Sequence, residues 1–134
     1  MIKVTPIQTK AEQEECCKLC SIKYDPDCLA YSALVDDKLV GACQFKVTKG
    51  GGVLRDIRCI DGMYDFETLF IMGRAALNFI DLCGVHSAKY VGEVKDASLL
   101  KAVGFRENAN GIYEINLEGF FNDHCKNHKE EHNI

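Results

Sequence analysis

Two short cysteine pairs are the first candidates for chemistry in this sequence. Cys17-Lys18-Leu19-Cys20 is a CxxC, and Cys125-Lys126-Asn127-His128 is a CxxH. Together they offer three sulfurs and one imidazole at spacings that structural Zn²⁺ uses, and zinc takes four such ligands in a tetrahedron. An ion held by Cys17, Cys20, Cys125 and His128 would pin the polar C-terminal tail to the body, its binding energy adding to folding energy. Cys16, Cys28 and His124 are substitutes within the set. The competing reading is packing, because a CxxC on a helix also serves as two small buried hydrophobes. His124, His128 and His132 would then be one solvated helical face. Nucleophilic cysteine catalysis ranks below both. Only His86 lies in the body of the chain as a partner for Cys43, Cys59 or Cys83, and nothing in the spacing puts it beside any of them.

Composition bounds what these residues can serve. The 134 residues fit one ordinary domain, and 47% hydrophobic with 27% charged residues is a globular balance. The net charge is −4, from 16 Lys+Arg against 20 Asp+Glu, which argues against duplex nucleic acid or anionic lipid as a partner. Aromatic residues at 9% without a basic stripe argue against single strands. No apolar run approaches the roughly 20 residues of a membrane span. Met1-Ile2-Lys3-Val4-Thr5-Pro6 has no apolar h-region, so no secretory signal is expected. The expectation is a cytoplasmic chain whose eight cysteines are mostly reduced.

The elements that must position these groups alternate along the chain. Ile2, Val4 and Pro6-Ile7 make a short opening strand. Thr9-Lys10-Ala11-Glu12 reads as a capping box, and the helix behind it runs to about Ile22 before Tyr24-Asp25-Pro26 stops it. Leu29–Val35 and Leu39–Val47 are strand-length apolar runs around the turn Asp36-Asp37-Lys38. Lys49-Gly50-Gly51-Gly52 precedes a third strand and lacks the Gly-Lys-Ser/Thr of a phosphate loop, so it is a turn. Arg55 and Arg58 in that strand could bind an anion, but arginines on the wet face of a strand are the commoner case. From Asp65 to Leu82 the polar residues Glu67, Arg74, Asn78 and Asp81 form one thin helical stripe, which predicts a helix lying on a sheet and capped at Gly84. His86–Val94 is a strand, Asp96–Val103 a short capped helix, and Ile112–Leu117 the last strand. No linker or repeat appears, so one domain is expected, with its core about 2–117 and a tail 118–134.

This order of elements resembles the GNAT superfamily of acyl-CoA N-acyltransferases. Leu34-Val35-Asp36-Asp37-Lys38-Leu39-Val40-Gly41 is similar to that family's hairpin, and Leu99-Leu100-Lys101-Ala102-Val103-Gly104-Phe105 to its late helix-to-strand segment. The resemblance covers about Ile2 to Leu117. It implies an α/β (α+β) fold with a mixed, largely antiparallel central sheet and helices on both faces. It also implies acetyl-CoA as the cofactor and an amine as the acceptor.

Within the resemblance, the family's Q/R-x-x-G-x-G/A pyrophosphate loop aligns with Tyr64-Asp65-Phe66-Glu67-Thr68-Leu69. The Arg/Gln position is Tyr64, and Glu67 and Leu69 fill the positions where bare peptide should approach a phosphate. Gly62, Met63, Tyr64, Asp65 and Phe66 are then the residues of the cofactor loop by position. The late tyrosine that protonates the leaving thiolate falls at Leu100, which has no proton to give. Glu93 and Glu114 are the candidate general bases by type. The expectation is a GNAT-like protein with weak or lost acetyl-CoA-dependent acetyltransferase activity and a binding or regulatory role. Two alternatives stay open: an active divergent N-acetyltransferase holding CoA through backbone amides around Gly62 to Phe66, and a homodimeric structural or interaction protein.

Overall fold

The computed structural model describes residues 1–121 of the chain. Its first half is a meander. Strand β1 (Ile2–Pro6) is followed by helix α1 (Lys10–Leu19) and the antiparallel strands β2 (Leu29–Val35), β3 (Lys38–Thr48) and β4 (Gly51–Cys59). Thr9 caps α1 by accepting from the Glu12 amide at 3.1 Å. The helix ends earlier than its sequence predicts. Ser21 turns left-handed at φ 54°, and the Ser21 and Ile22 amides bond back to Lys18 and Cys17 carbonyls. The β2–β3 hairpin is tight because Asp36 and Asp37 both take positive φ, 50° and 68°, the twist that a two-residue turn needs.

Helix α2 (Phe66–Leu82) then crosses back, so that strand β5 (Ser87–Val91) lies parallel to β4. Helix α3 (Ala97–Val103), strand β6 (Arg106–Glu107) and strand β7 (Tyr113–Asn116) complete the chain's described part. The single seven-stranded sheet runs β1-β2-β3-β4-β5-β7-β6 and is antiparallel everywhere except at β4–β5. This is the mixed, largely antiparallel sheet expected. The two-residue strand β6 is an addition, too short for any periodicity to reveal.

Strand β3 separates the two layers. Cys43 and Phe45 enter the large core under α2 and α3, with Leu54, Met72, Leu77, Ile80 and Val103. Phe79 of α2 meets the Phe45 ring at 5.5 Å. Ala42 instead belongs to a small cluster with Cys17 of α1 and with Cys20 and Ile22 just after it. The helices therefore cover both faces, α1 on one and α2 with α3 on the other. Gly84 follows α2 at φ 84°, the left-handed position that ends a helix without cost when no side chain is present. Among the described residues, no helix is long and apolar enough to cross a membrane.

The connection from α1 to β2 has no regular structure, and a buried amide network holds it. Gln13 Nε2 donates to Gln44 Oε1 at 2.8 Å, which also accepts from the Asp25 amide, while Gln44 Nε2 donates to the Lys23 carbonyl. Both glutamines are at most 2% exposed. Buried amides are tolerated only when so partnered.

Candidate functional site

A cleft opens where β4 and β5 part. Their parallel ladder runs only from Gly52–Ala88 to Arg55–Val91. Past that point β4 carries a bulge: Ala42 faces Arg58 and Gln44 faces Arg55, one residue more on β4 than on β3. The bulge bends the strand at Asp56, whose φ is 48°. Across from it Gly92 sits at φ 126°, and a Cβ there would come within 2.3 Å of Asp56 Oδ1. Only glycine lets the end of β5 come so close. Beyond the contact the strands separate, leaving a hollow of about 300 Å³ bounded by the ends of α1, β4 and β5 and by the loops before α2 and α3. Ligands of open sheets enter at this kind of place, outside the carboxyl ends of adjacent parallel strands.

The cleft is apolar inside and charged at its lip. Ile57, Cys59, Leu69, Leu99 and Leu100 line it, with Arg58, Asp61, Glu93, Lys95 and Asp96 around them. Arg58 crosses it: Nη1 donates to the Ser21 carbonyl and Nη2 to Glu93 Oε2, each at 3.0 Å. Its side chain is 17% exposed, so it is not the wet-face residue the strand pattern suggests. Its Nε is buried and meets no acceptor among the described residues. Arg55 is likewise drawn in, 3.4 Å from Asp25 Oδ2 and 3.8 Å from Asp56 Oδ2.

Gly62, Met63 and Tyr64 form the side of the cleft that leads into α2. Asp65 is the cap of that helix, its Oδ1 accepting from the Thr68 amide at 3.1 Å and its carbonyl from the Leu69 amide. Phe66 begins the helix and is exposed, and Glu67 adds a second acid in the first turn. Leu69 is buried in the core. The head of α2 therefore holds its own anion. Opposite, Asp96 caps α3 through the Ser98 and Leu99 amides and accepts from the Tyr64 hydroxyl. The Tyr64 bond comes first in holding the Asp96 carboxyl below the usual range. Packing and the adjacent carboxylate push the Tyr64 hydroxyl up to about 12.

The two candidate bases are placed apart. Glu93 stands at the lip of the cleft, paired with Arg58 through one carboxylate oxygen, which leaves the other oxygen to accept from an amine. Glu114 lies in β7 opposite Lys89 and Arg106, beside a different and larger hollow of about 1050 Å³ at the other end of the sheet. Leu100 does line the cleft, buried and without a proton to donate. Tyr90 was not singled out by sequence. It also lines the cleft, donates to the Glu93 carbonyl at 3.2 Å, and burial pushes its hydroxyl up to about 12. Alternation along β5, with Ala88 and Tyr90 inward, was the available signal.

Cys17 and Cys20 are buried in the cluster under α1. Burial pushes their thiols up to about 11 and about 12, so without an ion they are protonated at neutral pH. Among the described residues, no three His, Cys, Asp or Glu side chains gather as a metal site. Cys125 and His128, with His124 and His132, lie outside the described residues. His86 pairs with Asp81 at 2.6 Å, and that bond raises its pKa.

No family model and no curated protein matches this sequence. Solved structures do match. The ribosomal-protein-S18-alanine N-acetyltransferase of Escherichia coli superposes with a TM-score of 0.66 over 87% of this chain and 94% of its own, at 11% identity. An acetyltransferase of Bacillus subtilis in complex with CoA gives 0.67 over 87% and 99%, at 16% identity. A GNAT-family acetyltransferase of Staphylococcus aureus gives 0.64 over the same shares, at 15% identity. The chain thus has the GNAT acetyltransferase fold, and at these identities the likeness is one of fold.

Proposed function

We propose that this is a GNAT-fold protein whose acetyl-CoA-dependent acetyltransferase activity is weak or lost, and whose cleft serves binding. One observation carries the reading: the Asp65 carboxylate caps α2 through the Thr68 amide, where a diphosphate would need that amide. An incoming phosphate would meet Asp65 and Glu67 at the helix head. A like-charge pair about 4 Å apart costs about 1 kcal/mol in water and about 4 kcal/mol near a protein surface. Replacing the cap by the ligand also forfeits a bond worth about 1 kcal/mol. The Leu69 side chain turns into the core, so of the two filled loop positions it is Glu67 that stands at the helix head. Titrating acetyl-CoA into the full chain by calorimetry tests this. The expected result is no heat below roughly millimolar ligand, and micromolar binding would overturn it.

A second reading, an active N-acetyltransferase, draws support from Tyr90. Its hydroxyl stays protonated at neutral pH and lines the same cleft, a proton donor where Leu100 has none. The CoA held by the similar Bacillus subtilis acetyltransferase agrees with it. Turnover of acetyl-CoA with small amines, lost in Tyr90→Phe, would favour this second reading.

A further inference from the structure

We infer that the cleft takes a small apolar carboxylate, seated bidentate on Arg58 in place of Glu93. The inference deepens the binding role proposed above and rests on it. The Nε and Nη2 of a guanidinium form one edge, a fork that matches the two oxygens of a carboxylate. On Arg58 this edge is half used. Nη2 donates to one oxygen of Glu93 at 3.0 Å, while the neighbouring Nε is buried and meets no acceptor among the described residues.

The two partners of the pair differ in commitment. Arg58 is held by its Nη1 bond to the Ser21 carbonyl and is 17% exposed, whereas Glu93 is 67% exposed and makes no other side-chain bond among the described residues. An exposed carboxylate regains water when it leaves, so exchanging it for a ligand carboxylate costs little. The ligand gains the second N–H that Glu93 does not use. Hydrogen bonds to a charged group are the stronger class, and a bidentate pair makes two of them.

The rest of the cleft sets the ligand's body. Behind Arg58 the walls are Ile57, Cys59, Leu69, Leu99 and Leu100, and all five are at most 8% exposed. Met63 and Val94 extend the apolar surface to the lip. A hollow of about 300 Å³ lies at the small end of ligand pockets. That is the size of a short-chain or aryl-substituted acid. Glu93 in this arrangement is the internal competitor that keeps Arg58 paired when the cleft is empty.

Calorimetric titration of the full chain with 3-phenylpropionate, hexanoate and benzoate, alongside 3-phenylpropionamide as the neutral isostere, tests the inference. At least one of the acids is expected to bind, and 3-phenylpropionamide to bind about tenfold or more weakly than 3-phenylpropionate. Arg58→Gln should abolish binding, and Glu93→Gln should tighten it several-fold by removing the competitor. Because Arg58→Gln also frees Ser21 and can loosen α1, the Glu93→Gln result stands as the independent arm. If none of the acids binds below roughly 10 mM, if the amide binds as well as the acid, or if Glu93→Gln weakens binding, the inference is overturned. Acetyl-CoA binding in the separate titration would overturn the preceding reading, whereas failure of the acids with acetyl-CoA also silent would overturn this inference alone.

Discussion

The Tyr64 hydroxyl donates to the Asp96 carboxylate, tying the loop before α2 to the cap of α3 across the cleft they both line. The two residues are 32 apart in sequence, and neither loop has a regular ladder to hold it. Removing the hydroxyl leaves Asp96 still bonded to the Ser98 and Leu99 amides, so α3 keeps its cap. Tyr64→Phe should therefore cost at most about 1 kcal/mol of global stability. Hydrogen exchange should instead quicken locally, at the amides of Gly62 to Tyr64 and Val94 to Asp96. Unchanged exchange in both loops would show that the bond does not hold them together.

The same pair sets two pH dependences of opposite sign. Asp96 is held low in the folded state, mainly by Tyr64, so its stabilisation is present above the ordinary aspartate value of about 3.9 and fades as pH falls through the folded value. Tyr64 is raised to about 12, so its share is complete below the ordinary tyrosine value of about 10 and is lost as pH climbs towards 12. Phenolate absorbance should show tyrosines titrating near 12, and Tyr64→Phe should remove one of them. Tyr90, also near 12, should remain.

Gly92 is the hinge point of the cleft. Gly92→Ala places a Cβ 2.3 Å from Asp56 Oδ1 and 3.4 Å from the Asp56 amide, at a φ of 126° that alanine rarely adopts. The expected loss is about 3 kcal/mol, read by denaturant unfolding. Asp56→Gly keeps the left-handed bulge accessible and removes the carboxylate. Combined with Gly92→Ala it should lose less than the sum of the two single changes, with a coupling of at least about 0.5 kcal/mol. Strict additivity would mean that the clash is relieved elsewhere.

How far the fold was legible follows from the physics of each element. The meander, the long helix and the α3–β7 return were readable because their patterns are local: strand-length apolar runs between turns, a thin polar stripe, Asp96 opening a short capped helix, Gly84 as a stop. The end of α1 was not, since Ser21 and not Pro26 turns the chain, and nothing in a serine announces a left-handed φ. The anion already seated at the head of α2 was visible in Asp65 and Glu67. The inward turn of Arg58 was invisible. It depends on a bulge at Asp56 and on the ends of α1 and β5, three elements that are not neighbours in sequence.

Gln44 illustrates the same limit and supplies a test. In sequence it is a polar residue in an apolar strand, yet its side chain is the hub for the Gln13 amide, the Asp25 N–H and the Lys23 carbonyl. Gln44→Leu keeps the volume and leaves the Asp25 N–H and the Lys23 carbonyl without this partner, while Gln13 Nε2 keeps its bond to the Asp25 carbonyl at 3.1 Å. The predicted cost is about 2 kcal/mol or more, since each buried polar group left unpaired costs about 1–3 kcal/mol. Hydrogen exchange should rise through the segment 20–28 before it rises in β3. A neutral substitution would mean that water replaces the amide.

The cysteines give the last prediction. Cys17, Cys20 and Cys43 are at most 2% exposed, and burial keeps each thiol in its protonated form, with Cys20 and Cys43 pushed to about 12. Alkylation needs the thiolate and access, so these three should stay unlabelled in the native protein at pH 8. Cys83, exposed just after α2, should label first among the described cysteines. If Cys17 and Cys20 serve as small hydrophobes packed with Ala42 and Ile22, protein isolated without a polyhistidine tag should melt at the same temperature with and without a chelator. A zinc ion bound through Cys17, Cys20, Cys125 and His128 would predict the opposite: stoichiometric metal, a melting point that falls with chelator, and a further loss in Cys125→Ser. Finding those three together would move Cys17 and Cys20 from packing to coordination.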